Sequence, residues 1–416
     1  MKQSVRPGQA GPVLRLALAV ARGVLRRSSR KIAKAGAGLP RTAANSCKGV
    51  VMFTTWMGGE KMRCGFGLTR SIMLLVILVL LTGLAFGCSP GSVPAGTPGG
   101  GDETGGDTDG GEGPAAPPEI DLAIVKPNEI GMIPILMYHE IGKEEKDWER
   151  TAANFRRDLQ RLYDEGYRLL SLNDLLQNNI TTPAGCTPVV LTFDDGTAGQ
   201  MRYFVQPDGP PVLDPDCAVG ILLDLAAEQP DFGLAGTFYI YYPRPFRQKE
   251  TMEMKLRELV RLGFEIGNHT NGHENLAKVP PERIREELAK MAGTTAEIVP
   301  GYRVKTLALP YGGNPRSEWR ELLAAGEYGG AEYQNDAVLL VGANPAPGPN
   351  HKQFDPLRLP RIQATQKELD HWLEYLAAHP EKRYISDGDP AIVTVPAAAA
   401  DAVRLESLDE KTLRQY

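Results

Sequence analysis

Cysteine, paired thiols and long apolar runs are all scarce in this 416-residue chain. Its five cysteines, Cys47, Cys64, Cys88, Cys186 and Cys217, include no Cys-x-x-Cys pair, which speaks against a thiolate zinc site. The longest apolar run, Ile72 to Phe86, is short for a membrane span, which takes about 20 residues. Acidic residues are missing before Glu60, where Lys and Arg are frequent. The net charge of −5 argues against nucleic acid as the main partner. No internal repeat is visible. What remains is ample for a core, since 42% of the residues are hydrophobic.

One apolar stretch, Val189-Val190-Leu191-Thr192-Phe193, ends in Asp194-Asp195-Gly196. A β-branched run stopped by a turn signal reads as a buried strand. Successive strand residues face opposite ways, so the two carboxylates share a task only if the chain bends there, as Gly196 permits. Buried carboxylates each need a proton, a cation or a donor. On its own the tripeptide reads first as a strand-ending turn. A second short strand, Gly263 to Gly267, leads into Asn268-His269-Thr270-Asn271-Gly272-His273. Histidines four apart share one side of a helical turn, and neutral imidazole is a common zinc ligand. One carboxylate and two imidazoles form a three-ligand set that leaves a position open for water, the arrangement of a catalytic zinc. Spacing alone does not say which aspartate is the ligand.

Together with Leu309-Pro310-Tyr311-Gly312, these motifs resemble the polysaccharide deacetylases, carbohydrate esterase family 4. The segment Pro134-Ile135-Leu136-Met137-Tyr138-His139-Glu140-Ile141 is similar to the branch that opens with a PxLMYHxI strand and acts on poly-N-acetylglucosamine-like polymers. The resemblance runs over roughly residues 131 to 396, with the motifs in order. It implies an α/β fold, a distorted (β/α)7 barrel; periodicity alone also permits a flavodoxin-like open sheet.

The resemblance further implies roles. Asp194 is the general base, and Asp195, His269 and His273 hold a divalent metal. Zinc is expected, although two imidazoles and a carboxylate also suit cobalt, nickel and iron. The backbone N–H of Tyr311 helps hold the oxyanion. Two departures stand out. Ala308 occupies the position where the family's common pattern has a base-orienting arginine, and Arg361 is either its substitute or a surface ion pair. The common late Leu-x-His is missing from Ala391-Ile392-Val393-Thr394-Val395-Pro396, so His139, which fills that place in the permuted branch, is the expected general acid. The implied function is metal-dependent deacetylation of an N-acetylated cell-surface glycan. The competing readings are an O-acetyl esterase on xylan-like glycan and a noncatalytic glycan-binding lipoprotein.

Along the chain, residues 1–61 form a basic extension. Leu14 to Leu25 suits a short amphipathic helix on a membrane surface, but a start at Met57 or Met62 is the simpler expectation. Residues 62–88 resemble a lipoprotein-type signal ending at Cys88, with an uncleaved anchor as the other reading. Either places the rest outside the cytoplasmic membrane and tethered to it. Residues 89–119 are Gly, Pro and acidic, too polar to bury a core, and read as a disordered linker. The deacetylase-like domain is 120–416. Alternating strands and helices there imply βαβ units and a mainly parallel sheet. Helices are expected over Thr151–Gly166, Ala218–Glu228, Thr251–Gly263, Pro281–Ala292 and Glu368–Ala378. The residues after Ala400 are expected to be polar and peripheral. An extracellular location also permits a Cys186–Cys217 disulfide.

Overall fold

The computed structural model describes residues 120–416. The basic extension 1–61, the signal segment 62–88 with Cys88, and the linker 89–119 lie outside the described residues.

Eight strands build the main sheet. They are β1 (Ile135–Tyr138), β2 (Tyr167–Leu169), β3 (Thr187–Phe193), β4 (Thr237–Ile240), β5 (Glu265–Asn268), β6 (Thr306–Ala308), β7 (Ala337–Leu339) and β8 (Ile362–Gln363). Every pairing among them is parallel, in the order β7-β6-β5-β4-β3-β1-β8, with β2 also on β3. β3 is central: one edge pairs with β1, and the other with β2 along Thr187–Val189 and with β4 at Thr192 and Phe193. All seven of its residues are buried, which explains an apolar run without alternation.

The sheet curls. Ile362 and Gln363 pair with Leu136 and Met137 of β1, while Leu359, three residues earlier, bridges to Leu339 of β7. Hydrogen bonds from Leu340 N to Leu359 O (2.8 Å) and from Ala343 N to Arg361 O (2.7 Å) fasten this segment. One short stretch thus touches both edges of the sheet, which a flat open sheet does not allow.

Helices cover the outside: α1 (Ala152–Asp164), α2 (Leu172–Leu176), α3 (Ala218–Glu228), α4 (Met252–Arg261), α5 (Pro281–Ile298) and α6 (Gln366–Ala378). Thr151, Ser171 and Thr365 cap three of them by accepting from the backbone N–H three residues on. Phe155, Leu159 and Leu162 give α1 its buried stripe. They meet Tyr138, Leu191, Phe193 and Phe238 in the core between sheet and helices. Phe193 and Phe238 stack there at 4.7 Å between ring centroids. The opposite sheet face buries Ile135, Val190, Tyr239, Ala308 and Leu339 in a second cluster inside the curl.

Several expectations need correction. α5 runs six residues past Ala292, because Thr295 is buried and its hydroxyl donates to Met291 O at 2.9 Å. That packing overrides the weak helix propensity of Gly293-Thr294-Thr295. The PxLMYHxI segment forms a strand only over Ile135–Tyr138; Pro134, which has no N–H, separates it from Met132–Ile133, which pairs antiparallel with Ala346–Pro347. The C-terminal stretch is not merely peripheral, since Thr412–Gln415 pairs in parallel with Ile392–Val395. Val393, Val395, Val403 and Ile130 close a small apolar cluster beside it.

Cys186 and Cys217 are free thiols, not a disulfide. Cys186 precedes β3, and Cys217 lies near Gly199 beyond its far end, where its Sγ accepts from Gly220 N as the cap of α3. Seven strand residues separate the two levels. At about 3.3 Å each, that is several times the Cα separation a disulfide spans.

Candidate metal centre and its surroundings

The site collects at the C-terminal ends of β1, β3, β5 and β6. Asp194 continues the β3 ladder, donating its N–H to Tyr138 O at 2.9 Å. The chain then turns: Asp195 has φ 75° and Gly196 φ 52°. The bend therefore begins at Asp195 itself, one residue before the glycine, and the left-handed region is one that aspartate tolerates better than most residues.

The two histidines follow β5. They do not sit on a helical turn, as their spacing suggests, but in a loop where Thr270 and His273 both have positive φ. Hydrogen bonds hold that loop: Thr270 N to Asn268 Oδ1 (2.9 Å), Glu274 N to Thr270 Oγ1 (2.8 Å) and Gly272 N to Glu287 Oε2 (2.5 Å). Glu287 is buried on α5 and paired with Arg283 at 2.6 Å. Left-handed residues held by their surroundings cluster at functional sites.

Asp195, His269 and His273 converge. Asp195 Oδ1 lies 3.3 Å from His269 Nε2 and 3.1 Å from His273 Nε2. Among the described residues this trio can hold a metal ion, with one ligand atom from each residue and all three within 4.8 Å of one another. The donor chemistry fits a cation. His269 Nδ1 lies 2.9 Å from Ala308 O. A carbonyl only accepts, so Nδ1 carries a proton, and in the neutral ring the Nε2 lone pair faces the Asp195 carboxylate. Two acceptors aimed at each other need a positive charge between them.

Beside the trio, Arg361 clamps Asp194. Its Nη1 reaches Oδ1 at 2.7 Å and its Nη2 reaches Oδ2 at 2.8 Å. Nη1 also donates to Thr192 Oγ1 at 3.1 Å, and Nε to Leu340 O at 2.8 Å. Arg361 is 0% exposed and Asp194 2%, so this is not a surface ion pair. Burial raises the Asp194 carboxyl, and the Arg361 charge and hydrogen bonds more than reverse it. Ala308, where the family's common pattern has arginine, contributes only its carbonyl to the site.

His139 follows β1 with its ring 4.6 Å from that of Trp148. The two line a cleft of about 450 Å³ together with Asp195 and Thr197. Gln200 Nε2 anchors the His139 carbonyl at 2.8 Å. Burial lowers the His139 pKa, partly opposed by the Asp194 and Asp195 charges. Tyr311 sits in a turn with φ 57°, its side chain largely exposed.

Several neighbours escape a reading of motifs. Trp148 lies in a run of charged residues and carries no motif. Tyr241, one residue past β4, places its ring 4.8 Å from His273. Arg247 donates to Tyr241 Oη (2.6 Å) and to Asp195 O (3.2 Å). Tyr241 occupies a strand end like the other site residues, which is the signal that would have found it.

Residues 222–328 match the family model described as polysaccharide deacetylase. YxkH of Bacillus subtilis (strain 168), provisionally named a polysaccharide deacetylase, is 24% identical over 170 residues. That match covers 40% of this chain and 52% of YxkH, so the chain spans about half the length of this curated relative. Among solved structures, the Streptococcus pyogenes deacetylase PplD in complex with acetate is 19% identical with a TM-score of 0.44, covering 59% of this chain and 97% of PplD. IcaB from Ammonifex degensii is 18% identical with a TM-score of 0.42, at 59% and 97% coverage. Residues 222–328, which carry His269 and His273 but not Asp195, are thus the part of this chain similar to the polysaccharide deacetylases.

Proposed function

We propose that this protein is a metal-dependent hydrolase that removes acetyl groups from an N-acetylglucosamine polymer at the cell surface. The observation that carries the reading is the adjacency of two differently held carboxylates. Asp195 faces two imidazoles, while Asp194 is tied to Arg361. Asp195, His269 and His273 would hold the divalent cation, with zinc the first choice. Bound there, the cation supplies Lewis acidity, lowering the pKa of water to about 7 and polarising the acetyl carbonyl.

The chain's own residues do the rest. Asp194 is ionised, and its lone pairs not used by Arg361 accept a proton from the attacking water. Arg361 fixes the plane of that carboxylate, the task the family's common pattern gives to the residue at Ala308. The Tyr311 N–H donates to the carbonyl oxygen as charge develops on it. His139, in the cleft shared with Asp195, delivers a proton to the departing amine. The seven strands of the main path, with β2 beside them, are read as a distorted barrel. Lipidation at Cys88 and the 89–119 linker would anchor the domain outside the cytoplasmic membrane; mass spectrometry of the mature N-terminus tests that part.

The decisive experiment measures acetate release from N-acetylglucosamine oligomers and from acetylated xylan, each with and without chelator. Chelator-sensitive release from the oligomers is expected. Release from xylan alone makes the protein an O-acetyl esterase. No release from either, with glycan binding retained, makes it a noncatalytic binder.

A further inference from the structure

The two histidines of the trio are held through Nδ1 by partners of different kinds. His269 is 3% exposed and donates to a backbone carbonyl, an acceptor that cannot change role. His273 is 19% exposed, and its Nδ1 lies 2.9 Å from the Tyr311 hydroxyl, which can donate or accept. The two rings meet edge to face at 4.6 Å.

Tyr311 is an unusual residue to find in this conformation. It has positive φ and its side chain is 70% exposed, so core packing does not hold it in place. The following Gly312 also has positive φ and lies against Val341, where an added Cβ would be 3.3 Å away. This turn sets the exposed ring against His273.

We propose that the Tyr311 hydroxyl is a positioning group for His273: it accepts from Nδ1–H and so presents the Nε2 lone pair to the cation. This rests on the metal reading of Asp195, His269 and His273. It gives Tyr311 a side-chain task separate from its backbone N–H. Partners at the far nitrogen of a ligating histidine fix ring orientation and tautomer, and their loss typically weakens metal binding about 10- to 100-fold. Removing the hydroxyl alone leaves the turn, the ring and the backbone N–H in place.

The test is zinc affinity, measured by chelator competition on the metal-stripped full-length chain, wild type against Tyr311→Phe. His269→Ala is the control for loss of a ligand, and circular dichroism checks the fold. Nitrogen-15 NMR of the zinc-loaded proteins reports the His273 Nδ1–H directly. Expected is one zinc per wild-type chain, an affinity about 10- to 100-fold weaker in Tyr311→Phe, and a shifted or exchange-broadened His273 Nδ1–H signal. Equal affinity and an unchanged signal in Tyr311→Phe overturn the proposal while leaving the metal reading intact. A wild-type chain that takes up no zinc overturns both.

Discussion

Arg361 reaches both oxygens of Asp194 from 167 positions away in the chain, and neither side chain meets solvent. Removing one partner of a buried pair strands the other. Arg361→Met is therefore expected to destabilise the domain by about 3–5 kcal/mol, measured by urea unfolding. Arg361→Lys keeps the charge but not the fork, so a smaller stability loss with a clear fall in kcat is expected. If Arg361→Met unfolds at the wild-type urea concentration, the pair does not have the structural weight its burial implies.

Asp194 and Asp195 are neighbours with different partners, so their variants should separate. Asp194→Asn is expected to lower kcat by about 100- to 10,000-fold with zinc content retained, whereas Asp195→Ala should lose zinc. Zinc analysis of both purified proteins, alongside acetate release, distinguishes them. An Asp194→Asn enzyme that turns over at the wild-type rate removes this residue from the role of base.

His139 lines the cleft with Asp195 but is not part of the converged trio. His139→Ala should lose turnover on N-acetylated oligomers at unchanged metal content. A phenyl acetate substrate, whose leaving group needs less protonation, should be affected less. Loss of metal from this variant would instead make His139 a ligand or a fold element.

Away from the site, Glu129 gives a pH prediction. Burial, aided by the nearby Asp387 charge, raises its pKa to about 8. Its oxygens accept from Thr394 N (2.8 Å) and Asp387 N (3.1 Å). The folded state thus holds this proton more tightly than the unfolded chain does. The stability linked to it is complete below the unfolded-state pKa of about 4.3 and is lost as pH rises through about 8. Unfolding free energies measured from pH 5 to 9 should fall by up to about 1.4 kcal/mol per pH unit from this group until about pH 8 and level off above it. Glu129→Gln should flatten that slope whatever it does to the overall level; an unchanged slope would assign the decline to other groups.

Much of the site was readable because its motifs are local. Asp194-Asp195-Gly196, the two histidines and Pro310-Tyr311-Gly312 each occupy a few residues at strand ends, where chain direction follows from apolar pattern and turn chemistry. The partner of Asp194 was not readable in that way. Arg361 sits in an extended Leu-Pro-Arg-Ile segment that also suits a surface, and only the curl of the sheet brings it inside. The same reason hid Trp148, whose neighbours in sequence are charged but whose neighbour in space is His139. For the cysteines, sequence distance misled: the intervening Tyr203–Phe204 and Val212–Leu213 hairpin leaves Cys217 beyond the opposite end of β3 from Cys186. α5 was underestimated because Gly293, Thr294 and Thr295 weaken a helix locally, while burial of Thr295 and Ile298 is a tertiary effect.

The segment Leu359–Gln363 ties the pairing of Asp194 to closure of the curl. Arg361 lies between Leu359, which bridges to β7, and Ile362, which pairs with β1, so the partner of Asp194 comes from the stretch that joins the two edges of the sheet. A change that loosened this stretch should therefore reach Asp194 before it reached Asp195, His269 and His273, which meet one another without it.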